Sequence, residues 1–416
     1  MRNTNNPFLQ KNDGWMVKRL GELGKIQTGS TPKTSQADNF GDFIPFIKPA
    51  DFYPDGKLHY NNMGLSEKGL KDSRLIDAGS VLMVCIGATI GKVGFNVKNI
   101  AANQQINALT PTPDISSKFL YYQMLTSSFQ EAVLDNAGQA TLPIINKTKW
   151  SNLTIFVPPL PEQKRIVAIL DEAFAGIARA TANTEKSLAN ARELFEIYLN
   201  NVFIQKGDGW FDTTIGDICK KVEYGSASKS KPTGIIPVLR MGNIQNGKIS
   251  WDELVYTDNP EEITKYLLQK NDVLFNRTNS AELVGKTAIY KGEKPAIFAG
   301  YLIRIYRKED LIDPDFLNYY LNSLPAKEYG KTVMSRSINQ ANINGTKLKQ
   351  YPISLPALDK QKEIVEKLSV LEMETQHLEA IYQKKLTALA KLKQSILQKA
   401  FTGELTADTV EQQANL

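Results

Sequence analysis

Cysteine and histidine are nearly absent from this sequence of 416 residues, which contains two of each. With only Cys85 and Cys219, the chain cannot build a disulfide framework or the thiolate ligands of a structural zinc finger. With only His59 and His377, a Cys/His or Ser/His catalytic pair is disfavoured. We therefore expect both cysteines to be buried free thiols.

Long apolar runs are missing as well. No window approaches the roughly 18 uninterrupted apolar residues of a membrane span, and Met1-Arg2-Asn3-Thr4-Asn5-Asn6-Pro7 lacks the apolar run of a secretory signal. We expect a cytoplasmic protein with no membrane partner.

A strong excess of one charge is also missing, since 50 Lys and Arg against 44 Asp and Glu give a net charge of +6. This balance excludes an acidic tail protein and does not by itself establish a nucleic-acid partner. The composition is typical of a folded globular protein. Because 416 residues exceed the usual size of one core, two or three domains are expected.

The two halves of the chain resemble each other. Trp15 and its neighbours recur around Trp210, a shift of 210 − 15 = 195. Ile145-Asn146-Lys147-Thr148-Lys149 recurs as Ile343-Asn344-Gly345-Thr346-Lys347, a shift of 343 − 145 = 198. Self-similarity over this length predicts a duplicated architecture.

Each half is predicted to be a globular α/β or α+β region followed by a long helix. The predicted segments are a first globular domain 1–158, a first helix 159–205, a second globular domain 206–356, a second helix 357–405 and a tail 406–416. Short β-branched and aromatic runs predict strands at 44–47, 81–86, 153–157, 236–239, 273–275, 296–298 and 302–306. Amphipathic patterns predict shorter helices at 119–134 and 314–329.

Apolar residues spaced by three and four mark both long helices, from Ile166 to Tyr198 and from Ile364 to Ile396. About 40 helical residues form a rod of roughly 60 Å. Because one face of each rod must be covered, we predict that the two pair as a coiled coil. The alternative is that each helix packs only on its own globular region.

The basic excess lies in the globular regions. Residues 1–159 contain 16 Lys and Arg against 12 Asp and Glu, and residues 206–357 contain 21 against 17. Both regions therefore carry +4, whereas the helices are nearly neutral. This distribution is typical of two globular regions that each face a polyanion and are carried on a neutral helical spacer.

The sequence contains only incomplete versions of known catalytic motifs. The segment 280–287 approaches a phosphate-binding loop but has Ser280 where the first glycine belongs. Pro54-Asp55-Gly56-Lys57 lacks the acidic partner of a metal-dependent nuclease, and the sequence contains no amino-methyltransferase tetrapeptide or glycine-rich methyl-donor loop. We expect no catalysis, cofactor or metal site in this chain.

The starts of the two helices complete the pattern, as does the ending Gln398-Lys399-Ala400-Phe401-Thr402-Gly403-Glu404-Leu405. The helices begin with Pro158-Pro159-Leu160-Pro161-Glu162-Gln163 and with Leu355-Pro356-Ala357-Leu358-Asp359-Lys360-Gln361. Together with the duplicated plan, these motifs resemble the specificity subunit of a type I DNA restriction-modification system over nearly the whole chain.

The resemblance implies that each globular region is a target recognition domain for one half of an asymmetric, bipartite double-stranded DNA site. It implies an antiparallel coiled coil that sets the distance between half-sites and docks two methyltransferase subunits, joined by restriction subunits. S-adenosylmethionine, ATP and Mg would then belong to the partner subunits. A freestanding two-headed DNA-binding regulator and a non-DNA coiled-coil scaffold are the alternatives.

Polar segments that differ between the repeats are the best candidates for reading two different half-sites. Four pairs stand out: 27–39 and 223–233, 87–89 and 276–280, 103–105 and 300–301, and 136–141 and 335–340. Arginine is the efficient reader of guanine and Asn or Gln of adenine, whereas lysine more often binds phosphate. The predicted DNA-binding residues are Lys33, Lys48, Gln104, Gln105, Gln139, Arg240, Arg277, Arg336, Asn339 and Gln340.

Residues at the helix starts are predicted to dock the partner subunits. They are Glu162, Gln163, Gln361 and Lys362. A solvated surface position is the alternative for each predicted DNA-binding residue.

Overall fold

The computed structural model describes residues 14–138, 142–338, 340–402 and 404–405. The chain forms two compact units, of which one runs to Thr184 and resumes at Lys384 and the other is Glu185–Gln383. Each unit contains one globular head and part of both long helices. We call residues 14–159 the first head and residues 206–357 the second head.

The first head is built on a four-stranded antiparallel sheet of order β2-β9-β6-β7. Its strands are β1 Met16–Arg19, β2 Gly24–Thr28, β3 Phe40–Gly41, β4 Phe46–Ile47, β5 Gly64–Leu65, β6 Val81–Val84, β7 Val93–Phe95, β8 Ala101–Ala102, β9 Ile106–Pro111 and β10 Thr154–Val157. Its helices are α1 Glu67–Lys71, α2 Ser117–Met124, α3 Ser127–Ala137 and α4 Lys147–Ser151. The four residues of β6 are all buried, because the sheet is covered on both faces.

The second head repeats this plan after the first long helix, α5 Leu160–Gln205. Its strands are β11 Phe211–Thr214, β12 Cys219–Tyr224, β13 Ile236–Leu239, β14 Ile244–Gln245, β15 Gly247–Ile249, β16 Val255–Thr257, β17 Asp272–Asn276, β18 Thr278–Asn279, β19 Thr287–Tyr290, β20 Ile297–Phe298, β21 Leu302–Arg307, β22 Ser335–Ser337, β23 Gln340–Asn342 and β24 Pro352–Leu355. Its helices are α6 Ile215–Ile218, α7 Pro260–Tyr266, α8 Pro314–Asn322, α9 Leu324–Val333 and α10 Gly345–Lys349, and the second long helix is α11 Leu358–Phe401.

The strand orders confirm the duplication. The second head contains the order β12-β21-β17-β19, which matches β2-β9-β6-β7 strand for strand, and β14 and β15 extend its edge. The parallel pair β4 and β8 returns as β13 and β20. The antiparallel pair β1 and β10 returns as β11 and β24. The strands predicted from the sequence all lie on strands of these sheets.

Each of the two shorter helices predicted at 119–134 and 314–329 is divided in two. Thr126 has extended backbone dihedrals, and its hydroxyl accepts a hydrogen bond from the Phe129 amide, so it ends α2 and caps α3. Ser323 is extended in the same way between α8 and α9. Both predictions missed the cap because the apolar spacing continues across it.

The long helices pair within each unit. In the first unit, Ile166 of α5 shares a core with Leu397 of α11, and the Lys393 ammonium lies 5.2 Å from the ring centroid of Phe174. In the second unit, Arg192 Nε of α5 lies 3.0 Å from a carboxylate oxygen of Glu379 of α11. Leu199 near the end of α5 also shares a core with Leu368 near the start of α11. The start of each helix thus lies beside the end of the other, which confirms the antiparallel coiled coil.

The helices also pack on the heads. Phe401 of α11 stacks edge to face on Phe119 of the first head, and Phe203 of α5 does so on Phe316 of the second head. Each long helix therefore both pairs with the other long helix and packs on a head, so the two arrangements that the sequence left open occur together. Across the described ranges, no helix combines the length and apolar character needed to cross a membrane.

Candidate nucleic-acid interface

The loops that differ most between the repeats meet at one turn in each head. We call this turn the central turn, residues 102–105 in the first head and 298–301 in the second. In the first head three backbone hydrogen bonds join it to neighbouring loops: Ser30 N to Ala102 O (2.8 Å), Asn103 N to Ile47 O (3.0 Å) and Cys85 N to Gln105 O (2.7 Å).

The second head repeats these bonds atom for atom: Ser226 N to Phe298 O (2.9 Å), Ala299 N to Leu239 O (2.9 Å) and Arg277 N to Tyr301 O (3.0 Å). The fourth loop attaches through Ile145 N to Cys85 O (3.0 Å) in the first head and Ile343 N to Arg277 O (2.9 Å) in the second. A shared backbone frame thus gathers all four pairs of divergent loops. The described residues of these loops therefore lie around one turn in each head.

A β-hairpin dominates this surface in the second head. Strands β22 and β23 pair with Ser337 opposite Gln340, and β23 pairs in turn with β18. The side chains of Arg336 and Gln340 are exposed on the hairpin, and Ile338 lies at its tip. The predicted reader Asn339 lies outside the described residues. Arg277 thus lies at the base of the hairpin that carries Arg336 and Gln340, and the register places Arg336 and Gln340 on opposite faces of that hairpin.

Arg277 lies at the base of the hairpin and is held on three sides. Its guanidinium lies 4.7 Å from the ring centroid of Tyr224, and its Nη1 donates to Gly300 O at 3.2 Å. Its backbone carbonyl accepts the amide of Ile343. A stacked and hydrogen-bonded guanidinium has little rotamer freedom, which favours directional recognition.

Arg336 is near a carboxylate of the adjoining loop. The pKa of Glu282 is lowered by a backbone hydrogen bond, by the Ser280 hydroxyl and by the positive charge of Arg336. Both side chains are exposed. The arginine is available to a stronger anionic or hydrogen-bonding partner, since an exposed interaction of this kind contributes little to stability.

In the first head, the glutamines lie in the central turn itself. Gln104 is exposed and its Oε1 accepts a hydrogen bond from the Thr31 hydroxyl at 2.5 Å. Gln105 is half-buried, and its amide bonds to Asn103 and to Ile86 O. Gln104 is thus exposed with its Oε1 held by Thr31, whereas Gln105 mainly supports the turn. The predicted reader Gln139 lies outside the described residues.

The predicted phosphate contacts border the same turn. Lys33 is exposed in the loop that follows Thr31, and Lys48 is exposed directly after Ile47, which accepts the amide of Asn103. Arg240 is the structural counterpart of Lys48, because each donates its backbone amide to a side chain three residues later, Asp51 or Asn243. Arg240 also donates to Glu253 O at 2.7 Å and is half-buried, so it presents less charge than Lys48.

The two glutamines predicted to dock partner subunits lie inside the protein, between a head and a long helix. Gln163 and Gln361 are 1% and 0% exposed. Gln163 accepts the Ser116 amide and donates to Asp114 O and Pro158 O. Gln361 accepts the Asp313 amide and donates to Leu311 O and Pro356 O. Because all their polar atoms are used internally, we correct the prediction: these side chains join helix to head and present nothing to a partner.

The other two docking candidates remain on the surface. Glu162 is half-buried beside Arg165, at 3.5 Å, and Lys362 is exposed beside Asp359, also at 3.5 Å.

A tyrosine–carboxylate hydrogen bond also joins each head to a long helix. Tyr122 donates to Asp171 at 2.6 Å in the first unit, and Tyr319 to Glu372 at 2.9 Å in the second. Burial and then the bound carboxylate raise the pKa of Tyr122, and the same two causes raise that of Tyr319.

Sequence reasoning missed three residues of the second surface: Tyr224, Tyr301 and Ile338. All three side chains are substantially exposed. A signal was available for the two tyrosines, because aromatic side chains interleaved with basic loops are typical of nucleic-acid surfaces.

Known proteins share this architecture. A family model described as the type I restriction modification DNA specificity domain matches residues 12–188 and 207–388. The chain is 26% identical over 426 residues to the type I restriction enzyme StySPI specificity subunit of Salmonella potsdam, covering 95% of this chain and 90% of that protein. It is 24% identical over 419 residues to the EcoKI specificity subunit of Escherichia coli strain K12, with the same coverage.

The fold is also found among solved structures. A chain from a study of complex assembly and conformational transition of the type I R-M system matches with a TM-score of 0.78 at 18% identity. The match covers 94% of this chain and 99% of that one. The shared fold therefore extends over both heads and both long helices.

Proposed function

The chain belongs to the family of type I restriction-modification DNA specificity subunits, and we propose that each of its heads reads one half of a bipartite DNA site with the surface around its central turn. It is the recognition component of such a system. Two different polar surfaces on two matching frames would give an asymmetric target.

The convergence of the four divergent loop pairs carries this proposal. The frame bonds are the same in both heads, whereas the side chains they present differ. In the second head these are Arg277, Arg336 and Gln340, which suit guanine and adenine edges. In the first head Gln104 suits adenine, and Lys33 and Lys48 supply charge for phosphate.

We assign the chemistry of the system to partner subunits. Two methyltransferase subunits would dock on the helix pair near Glu162 and Lys362, and restriction subunits would join the larger complex. S-adenosylmethionine, ATP and Mg would be bound by those partners. This chain would supply recognition and spacing, without a catalytic step of its own.

Arg336→Ala tests the assignment of the second head. The full chain, assembled with its methyltransferase partner, is incubated with genomic DNA, and methylated adenines are mapped. Wild type should define one bipartite site, and the variant should tolerate substitutions at one base pair of one half-site. The expected loss of discrimination is about 1–3 kcal/mol.

Lys291→Ala is the matched control. It removes an exposed cation of the same head. Lys291 lies away from the reading surface, because it follows Tyr290, which pairs with Asp272 at the opposite end of β17 from Arg277. The control should keep the wild-type site. If Arg336→Ala relaxed both half-sites equally, the assignment of one head to each half-site would be wrong.

A further inference from the structure

Ile338 stands out among the apolar side chains of the second head. It is 93% exposed, the highest value for a large hydrophobic residue in the described ranges. An aliphatic side chain so placed gains no burial within the fold. Its side chain at the hairpin tip is therefore available for contact with a partner outside the fold.

The hairpin that carries Ile338 is anchored rather than loose. Asn342 donates its side-chain amide to the Thr278 hydroxyl at 2.7 Å, and Lys347 Nζ donates to the Ser335 hydroxyl at 2.8 Å. The Ala341 side chain is buried beneath the hairpin. The tip is thus held away from the head by a fixed base.

The residues around Ile338 have the chemistry of a base-reading surface. Arg336 and Gln340 are exposed on the two strands, and Ser337 directly precedes the tip. A two-stranded β-ribbon fits the DNA major groove, where every distinctive group is a hydrogen-bond donor or acceptor except the C5-methyl of thymine. An isolated aliphatic group among polar readers matches that one apolar feature.

We propose that Ile338 reads a thymine in the half-site of the second head, through van der Waals contact with the C5-methyl group. The inference rests on the proposed DNA-recognition function and adds one specificity-determining residue to it.

The first head has an independent parallel. Ile144 forms a bridge with Ile86, just as Asn342 pairs with Thr278, so the two segments occupy the same place. Leu142 and Ile144 in this segment are 53% and 44% exposed. Leu142 and Ile144 thus correspond to Gln340 and Asn342 of the hairpin, and the first head also exposes aliphatic side chains in this segment.

Replacement of thymine by deoxyuridine tests the proposal, because it removes only the methyl group. The full chain with its methyltransferase partner first selects its site from random duplexes. Each thymine of that site is then replaced in turn, and affinities are compared for wild type and Ile338→Ser. In wild type, one replacement in one half-site should weaken binding about fourfold, the value of one buried methyl group at about 0.8 kcal/mol. In Ile338→Ser the same replacement should have no effect.

Leu311→Ser is the control, since Leu311 is exposed in the same head beside the helix junction, and it should keep the fourfold penalty. The proposal is overturned if no thymine in either half-site shows a penalty that depends on Ile338, including the case of a half-site without thymine. A wild-type complex that selects no sequence at all would instead remove the proposed function itself.

Discussion

Gly29 and Gly225 occupy equivalent positions beside the central turns, where two backbone segments approach closely. A Cβ at Gly29 would lie 2.2 Å from Asn103 O, and one at Gly225 would lie 2.2 Å from Phe298 O. Both contacts are with backbone atoms, which cannot rotate away. Only glycine fits at these positions, and each holds the first divergent loop against its turn.

Gly225→Ala should therefore damage one head selectively. The added methyl group must displace the loop, at a cost of about 1–3 kcal/mol, and recognition of one half-site should weaken. Thermal unfolding and duplex binding by the full chain measure both effects. Gly242→Ala is the control, because a Cβ there meets nothing within 4 Å. Equal melting temperatures for the two variants would contradict the close-approach argument.

The places of individual candidate readers were only partly predictable. Arg277 and Arg336 could be proposed from the sequence because the loops that carry them diverge between the repeats. The burial of Gln163 could not be predicted, since the sequence around a glutamine in the first turn of a helix is the same whether its side chain faces solvent or the head. Ile338 was overlooked because a single apolar residue in a polar loop has no periodicity.

One buried glutamine in each unit contributes several hydrogen bonds to the junction between head and helix. Gln163 and Gln361 each satisfy one amide and two carbonyls of the adjoining backbone. These groups are buried or partly buried, so an absent partner would leave them without hydrogen bonds. The amide thus fixes the direction in which each long helix leaves its head.

Gln361→Ala should destabilise this junction by about 2 kcal/mol, since three hydrogen bonds are lost and backbone groups remain buried. Hydrogen exchange at the amide of Asp313, measured on the full chain, should accelerate. Lys360→Ala, which changes an exposed neighbour on the same turn, should leave that exchange unchanged. Unaltered exchange in Gln361→Ala would refute the role that we give to the glutamine.

Elements were predicted better than their ends. The duplicated order of strands and the two long helices follow from periodicity, which is a property of many residues together. The division of 119–134 at Thr126 depends on one hydroxyl that caps the next helix, and a single cap is a weaker signal than an apolar stripe. The antiparallel direction came from the resemblance, since apolar spacing alone does not set it.

At the scale of the whole molecule, α5 and α11 each contribute to both units. The contact between Phe174 and Lys393 depends on the register of the two helices in the first unit, and that between Arg192 and Glu379 depends on it in the second. A change in the length of one helix alone breaks that register, whereas a matched change in both preserves it.

We predict that seven residues inserted after Thr184 and seven after Gln383 will move the half-sites apart. Seven helical residues add about 10.5 Å, close to three base pairs at 3.4 Å each. Mapping of methylated adenines should show a gap longer by about three base pairs. The same insertion in α5 alone should abolish assembly, and an unchanged gap in the double insertion would show that the helices do not set the spacing.

Backbone hydrogen bonds form the common frame that joins the central turn to its loops, and side-chain bonds of Thr31, Gln105 and Arg277 add to it. Substitutions of exposed loop side chains that make none of these contacts leave the frame bonds intact, and their effect on the free energy of folding should be small. In such a head, the exposed side chains that set the binding preference are largely distinct from the backbone bonds that stabilise the fold. We therefore expect substitutions at such exposed loop positions to alter the binding preference of a head with little loss of stability.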